Sequence, residues 1–307
     1  MIVDLPGTTT AQISQRIDAM HEERGEAAQG RVLTLLIATT DNRLEEALEI
    51  ANGASREHPC RVIAVVPHED SDDGHLDAQL RFGADAGAGE CIVLHPTGAL
   101  TQHLDTLVIP LLVPDVPVMA WWLGEVPENP SLEPLGAIAR SRITDATHSA
   151  DPAAAFAALR ANWNERDTDL SWTRLTIWRA LLVSMLDQPP YTAIREVTVQ
   201  GSHGSLPVDL LASWLALKLQ VPVTIDRDAE GGLMGVVFHR EDGDLSIRRT
   251  GPFDEQAVIE QPGQMDQHLS MPKRSLEECL SEEMRRLEPD VVYGEVLAEG
   301  WNLVNHD

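Results

Sequence analysis

Residues 31–40 read RVLTLLIATT, an almost unbroken apolar run rich in β-branched side chains. A strand of that composition is stable only when both of its faces are covered, because a half-solvated strand alternates apolar and polar positions. The flanking sequence supplies the cover. Its spacing predicts a leading helix over residues 9–24 with Ile13, Ile17 and Met20 on one face, then a helix from Asp41 to Asn52 closed by Gly53. Next come a strand from Arg61 to Val66, an acidic connection with a short helix ending at Phe82, a strand from Cys91 to His95 and a helix from Leu100 to Leu112. Strands from Val116 to Leu123 and from Arg142 to Asp145 follow, and an alanine-rich helix from Asp151 to Trp163 leads out. Buried strands alternating with helices define an α/β fold whose N-terminal part is a Rossmann-like, mostly parallel sheet with helices on both faces.

The second half is patterned differently. A helix from Ser171 to Asp187 stops at Pro189 and Pro190, a strand runs from Ile194 to Gln200, and a helix spans Pro207 to Leu219. Short strands are expected at Val223 to Asp226, Leu233 to His239, Leu245 to Arg249 and Ala257 to Glu260, with hairpin chemistry at Glu230 to Gly232 and Glu241 to Asp244. Helices from Ser275 to Leu287 and from Pro289 to Gly300 close an α+β domain with a mixed or antiparallel sheet. At roughly 150 residues per domain, 307 residues accommodate two, and the pattern divides them into 1–150, with its leading helix, and 151–307, with its connecting helix.

Charge narrows the function. The chain carries 49 acidic against 23 basic residues, a net charge of −26, with lysine only at positions 218 and 273. Nucleic acid and anionic membrane surfaces are bound by clustered Lys and Arg, so neither is an expected partner. The segment from Leu107 to Leu123 is apolar but is interrupted by Pro110, Pro114, Asp115 and Pro117 and falls short of the roughly 20 residues of a membrane span. The opening residues lack the basic and apolar regions of a secretory signal, and Cys60, Cys91 and Cys279 are few and scattered, so a reducing, cytoplasmic location is expected.

Motifs for chemistry fail one by one. The glycine-rich stretch from Gly83 to Gly89 precedes a strand and has Ile92 where the dinucleotide fingerprint needs its third glycine. The turn after the first long strand, Thr39 to Asn42, has no glycine to admit a pyrophosphate. The run from Asp70 to Gly74 resembles the opening of a calcium loop but places Leu80 where a bidentate Glu is required. Eleven histidines are spread without ligand spacing, so the sequence specifies no metal and no cofactor. His58 and Cys60 lack the arrangement of a base against a thiol. The turn from Gly201 to Ser205 joins a strand to a helix, where backbone N–H groups hold anions, and Ser202, His203 and Ser205 are the candidate anion site; it is not the GxSxG of a nucleophile elbow.

Aromatic residues are scarce, yet tryptophan is the commonest of them, with 7 against 4 Phe and 2 Tyr. Four occur in pairs, Trp121 with Trp122 and Trp172 with Trp178, the second pair interleaved with Arg174 and Arg179. Helical spacing puts Arg174 over Trp178 and Trp172 near Arg179, and Trp and Arg dominate interface hot spots, so all six are partner-interface candidates; filling the joint between domains is the competing role.

Here the sequence resembles the OpcA family of glucose-6-phosphate dehydrogenase assembly proteins of actinobacteria and cyanobacteria. The resemblance rests on Met1 to Pro6, His58 to Ile63, Leu111 to Val118 with Trp121 and Trp122, and Asp169 to Arg179. It continues through Leu211 to Leu215, Leu276 to Glu283, Arg286 to Asp290 and Tyr293 to Glu295. One departure is Ile177, where the family's pattern often carries proline. The resemblance implies a non-catalytic accessory subunit that binds glucose-6-phosphate dehydrogenase and promotes its assembly or allosteric activation in the oxidative pentose phosphate pathway. The alternative is a sugar-phosphate-binding protein or enzyme of that pathway using the Gly201 to Ser205 turn, with Arg195 or Arg240 as anion partners. A thiol switch at Cys60 or Cys91 is a further reading.

Overall fold

In chain order the first half contributes eight strands: β1 (Ile2–Leu5), β2 (Leu33–Ala38), β3 (Cys60–Val65), β4 (Leu76–Phe82), β5 (Glu90–Pro96), β6 (Val118–Trp122), β7 (Ser141–Thr144) and β8 (Asp167–Asp169). They come from a computed structural model that describes residues 1–24, 32–68, 73–83 and 90–306. Most of the acidic run 70–74 and of the glycine-rich stretch 83–89 lies outside the described residues. The strands form one sheet in the order β1-β4-β5-β3-β2-β6-β7-β8, parallel from β5 through β8. The apolar run within residues 31–40 is β2, inside the sheet, with five consecutive buried residues.

The two faces of this sheet are separate apolar layers. On one, Leu35, Ile37, Val62, Ala64 and Trp121 meet helix Leu44–Ala54. On the other, Leu36, Ile63, Ile92 and Trp122 meet helix Thr10–Arg24, whose Ile13, Ile17 and Met20 are buried. Side chains alternate along a strand, which is why Trp121 and Trp122, adjacent in sequence, enter opposite layers.

Three expectations are corrected. The stretch ending at Phe82 is the strand β4, not a helix: its burial alternates strictly, and it pairs antiparallel with β5 and β1. The helix expected from Leu100 to Leu112 is broken into a 3₁₀ turn, helix Leu104–Val108 and a second 3₁₀ turn at Pro110. The boundary drawn at 150 also shifts. One compact unit comprises Met1–Leu170 with Leu276–Pro289, the other Ser171–Ser275 with Asp290–Asp307. Helix Leu276–Arg285 therefore belongs to the first unit, where its buried Cys279, Leu280 and Met284 join the layer of Ala47, Leu48, Ala51 and Ala54. Each apolar side chain of that size buried is worth about 1.5–3 kcal/mol, enough to fix the helix there.

The second unit is built on six strands: β9 (Ile194–Ser202), β10 (Val223–Asp226), β11 (Asp228–Arg240), β12 (Leu245–Arg249), β13 (Gln256–Glu260) and β14 (Gln267–Ser270). Their order is β10-β9-β11-β12-β13-β14, antiparallel except for the β10–β9 pair. The expected hairpin at Glu230 to Gly232 is instead an irregularity within β11, where the register against β9 slips and both glycines have positive φ. Helix Leu206–Leu219 is buried along Leu206 and Val208 to Ala216. Among the described residues no helix is long and apolar enough to cross a membrane.

Candidate functional site: a basic cleft in the second unit

The expected helix from Ser171 to Asp187 is two helices, Leu170–Thr173 and Thr176–Leu186, with Arg174 and Leu175 at the break. That break borders a cleft of about 180 Å³. Arg174 and Trp178 line it from the break, Ser205 and Pro207 from the start of helix Leu206–Leu219, Gly231 and Gly232 from the irregular part of β11, Arg249 from β12, and residues 271–274 from the segment after β14. Four of its lining residues are cations, Arg174, Arg249, Lys273 and Arg274, and none is acidic. In a chain where Asp and Glu outnumber Lys and Arg by 49 to 23, that composition marks a place for an anion.

Three of the cations donate to backbone carbonyls. Arg249 is 8 % exposed and donates through Nη1 to the carbonyls of Asp254 (3.1 Å) and Met271 (2.5 Å). Lys273 donates to the Pro252 carbonyl at 2.8 Å, and Arg274 to that of Thr173 at 2.8 Å. Among the described residues neither Arg249 nor Lys273 has a carboxylate at ion-pair distance, and burial pulls the Arg249 guanidinium below its usual pKa. A cation buried against carbonyls keeps its full charge while losing hydration, and an incoming anion recovers that loss.

The sequence candidates divide around this cleft. Arg174, Trp178 and Ser205 come together in it. Ser202 does not line it; its hydroxyl accepts the N–H of Gly232 at 3.1 Å. His203 is exposed next to Gly204, which has a φ of +68°. The alternative anion partners are engaged elsewhere: Arg195 donates to Glu241 at 2.6 Å, and Arg240 lies 3.3 Å from Asp242. Pro207 removes one N–H from the helix start, and Ser205 makes no side-chain cap, so side-chain cations dominate the site.

The other candidate tryptophans, Trp121, Trp122 and Trp172, are interior. Trp121 is 0 % and Trp172 1 % exposed, leaving no surface for a partner, and Trp122 is buried as well. Trp172 lies under the Arg179 guanidinium, 3.7 Å from the ring centroid, with Tyr293 at 5.6 Å and tilted by 31°. Its indole N–H donates to Asp290 at 3.0 Å, and Asp290 in turn accepts the N–H of Tyr293, capping helix Val291–Ala298. The stack expected between Trp172 and Arg179 is present, and the Arg249 guanidinium lies 5.7 Å from the Trp178 ring. Sequence reasoning missed Arg249, Lys273 and Arg274, which come from a strand and a loop distant in sequence from the Trp–Arg segment. The only available signal was that both Lys273 and Arg274 sit together in a lysine-poor chain.

A Rossmann-like unit without the glycine fingerprint and a mixed-sheet unit that carries a basic cleft define a two-unit α/β protein. Residues 51–161 match the glucose-6-phosphate dehydrogenase subunit N-terminal domain, and residues 165–297 match the C-terminal domain of the same subunit. The chain belongs to this OpcA family of glucose-6-phosphate dehydrogenase subunits. It is similar to the putative OxPP cycle protein OpcA of Nostoc punctiforme, 26 % identical over 65 % of this chain and 44 % of that protein. The protein of that name from Synechococcus elongatus is 25 % identical over 46 % of this chain and 34 % of its own length. The chain thus spans less than half the length of these relatives. Similar solved structures include the 3-ketoreductase KijD10 from Actinomadura kijaniata, with 14 % identity and a TM-score of 0.47 over 89 % of this chain and 96 % of that one. Another is glucose-6-phosphate 1-dehydrogenase from Mycobacterium avium, with 12 % identity and a TM-score of 0.48 over 89 % and 91 %.

Proposed function

We propose that this protein is a non-catalytic accessory subunit that binds glucose-6-phosphate dehydrogenase and promotes its assembly or activity, with the basic cleft receiving an acidic side chain of the enzyme. Family membership supports the partner. The observation that carries the non-catalytic part is the chemistry of the cleft: four cations and one serine, with no histidine, carboxylate or thiol to accept a proton. Such a site binds negative charge, but Ser205 has no base beside it and so is not an activated nucleophile. Activation then requires that the chain bind the active form of the enzyme more tightly than the inactive form; a tenfold preference corresponds to about 1.4 kcal/mol.

A second reading is favoured by the same cationic lining and by Ser205: a sugar phosphate occupies the cleft and tunes the complex. One experiment covers both. The purified chain is added to its cognate dehydrogenase, and complex formation and the substrate dependence of NADPH production are measured for wild type, Arg174→Ala and Lys273→Ala. The proposal expects complex formation, a changed kinetic profile and weakening by both substitutions. A direct titration with glucose 6-phosphate in the absence of the enzyme separates the two occupants. Intrinsic turnover of a sugar phosphate by the chain alone, without a complex, overturns the proposal.

A further inference from the structure

The carboxyl ends of the parallel strands carry a cluster that the basic cleft does not involve. Asp41 follows β2, His68 follows β3, and His95 lies one residue before the end of β5. Each offers one ligand atom, and the three atoms lie within 4.8 Å of one another. Nε2 of His68 is 3.2 Å from Nδ1 of His95, with the rings stacked at 5.5 Å. The Asp41 carboxylate faces both, 3.5 Å from Nδ1 of His68 and 3.8 Å from Nδ1 of His95.

We infer that Asp41, His68 and His95 form a site for a first-row divalent transition-metal ion. Ligands at about 2.0–2.2 Å from a tetrahedral ion are separated from one another by a little over 3 Å; His68 ligates through one of its two nitrogens, and with one ligand atom taken from each residue the set lies within 4.8 Å, so small side-chain rotations close it onto an ion. Two imidazoles and a carboxylate suit zinc, iron or cobalt in their divalent states, whereas calcium and magnesium prefer all-oxygen sets. Three protein ligands leave at least one position open, and the ligands are 63 %, 36 % and 27 % exposed in chain order, so an ion has an entry path from solvent.

The frame is rigid where a site needs it. His95 sits in the β4–β5 ladder opposite Asp77, and the backbone N–H of His68 donates to the Pro96 carbonyl at 2.9 Å. His68 is bridged to Thr97, so both histidines are anchored to the same strand end. Asp41 begins a 3₁₀ turn whose next hydrogen bond, from the N–H of Arg43 to the Thr40 carbonyl at 3.0 Å, fixes its position. Asp77 is itself held by the N–H of Gly7 at 2.8 Å and by His75 at 2.7 Å, keeping a negative charge behind the cluster. In open α/β sheets ligands bind outside the carboxyl ends of the strands, and this cluster occupies that place.

The test uses the full chain, stripped with a chelator and titrated with Co²⁺ while visible absorption is recorded, then with Zn²⁺ in competition. The expected result is one equivalent of Co²⁺ with d–d bands that Zn²⁺ displaces; intense bands indicate four-coordination and weak ones six-coordination. His68→Ala and His95→Ala should each lower the affinity by at least about 100-fold, the upper end of the effect of losing even an outer-shell partner. His103→Ala, at an exposed histidine that is not a member of the cluster, should leave it unchanged. Asp41→Asn provides a conservative third variant, and circular dichroism confirms that each protein is folded. No saturable Co²⁺ binding, or equal binding by the wild type and the doubly substituted His68→Ala/His95→Ala protein, overturns the assignment.

Discussion

Trp172 separates an interior role from an interface role. In Trp172→Phe most of the ring is kept, but the N–H bond to Asp290 is lost and the contact with Arg179 weakens. A hydrogen bond to a charged acceptor is worth about 1.5–3 kcal/mol, and the cation–π contact adds about 0.5–1 kcal/mol. The expected loss of stability is therefore about 2–4 kcal/mol, including the small void left by the missing part of the indole. A double-mutant cycle with Asp290→Ala, read by urea denaturation, isolates the pair. Asp290 also caps helix Val291–Ala298, so Asp290→Ala alone is destabilising, but only the shared bond enters the coupling. A coupling of about 1–3 kcal/mol is expected, with dehydrogenase binding by the folded fraction unchanged. A coupling within the additivity error of about 0.3–0.5 kcal/mol, together with loss of binding in a fully stable protein, would refute the interior assignment.

In Gly136→Ala the new Cβ would lie 1.8 Å from the Pro130 carbonyl oxygen, so thermal melting should show a loss of at least about 3 kcal/mol or no folded protein. The thiols should be silent to an aromatic disulfide reagent in the native state and should all react after denaturation: all three are buried, and burial pushes Cys91 up to about 12. Rapid native labelling of Cys91 would contradict this and revive the thiol-switch reading. Arg81 forms a two-pronged pair with Glu45 (2.6 and 2.8 Å) that holds the carboxyl below its usual pKa. The depressed value means that its stabilisation is complete above about pH 4.5 and is lost as pH falls through the folded value. Because Glu45 is 74 % exposed, the effect should be small and reduced by salt, and Arg81→Gln should flatten that part of the acid titration of stability. Arg174→Ala and Lys273→Ala should each weaken anion binding at the cleft by about tenfold while leaving the melting temperature within a few degrees; unchanged binding in both would remove the cleft from function.

What was legible in the sequence was whatever local pattern decides. The run at β2 announced its double burial through composition alone, and β10 and β12 were bounded as expected because turn residues flank short β-branched segments. β4 was missed because its polar residues alternate with apolar ones next to an acidic stretch, and only its pairing with β1 and β5 makes that alternation meaningful. The site was legible in part. Arg174, Trp178 and Ser205 drew attention through density and capping chemistry, but Arg249 and residues 273–274 enter by tertiary packing, which spacing does not encode. The cluster of Asp41, His68 and His95 is similarly distributed over three strand ends, so no short ligand motif could reveal it. For the tryptophan pairs the sequence left an interface role and interior filling open, because an indole serves both and composition does not distinguish them; Trp121, Trp122 and Trp172 are buried, and Trp178 borders the cleft.

The return of residues 276–289 to the first unit bears on how the chain matures during synthesis. A ribosome delivers the amino-terminal end first, and domains generally fold as they emerge. Here the parallel sheet is finished early but waits for a helix encoded after more than a hundred further residues, so the apolar flank around Ala47 and Ala51 stays uncovered until residues 276–289 have been synthesised. Release of a nascent chain shortly before residue 276 should leave that flank bare and prone to chaperone capture, whereas release after residue 289 should not.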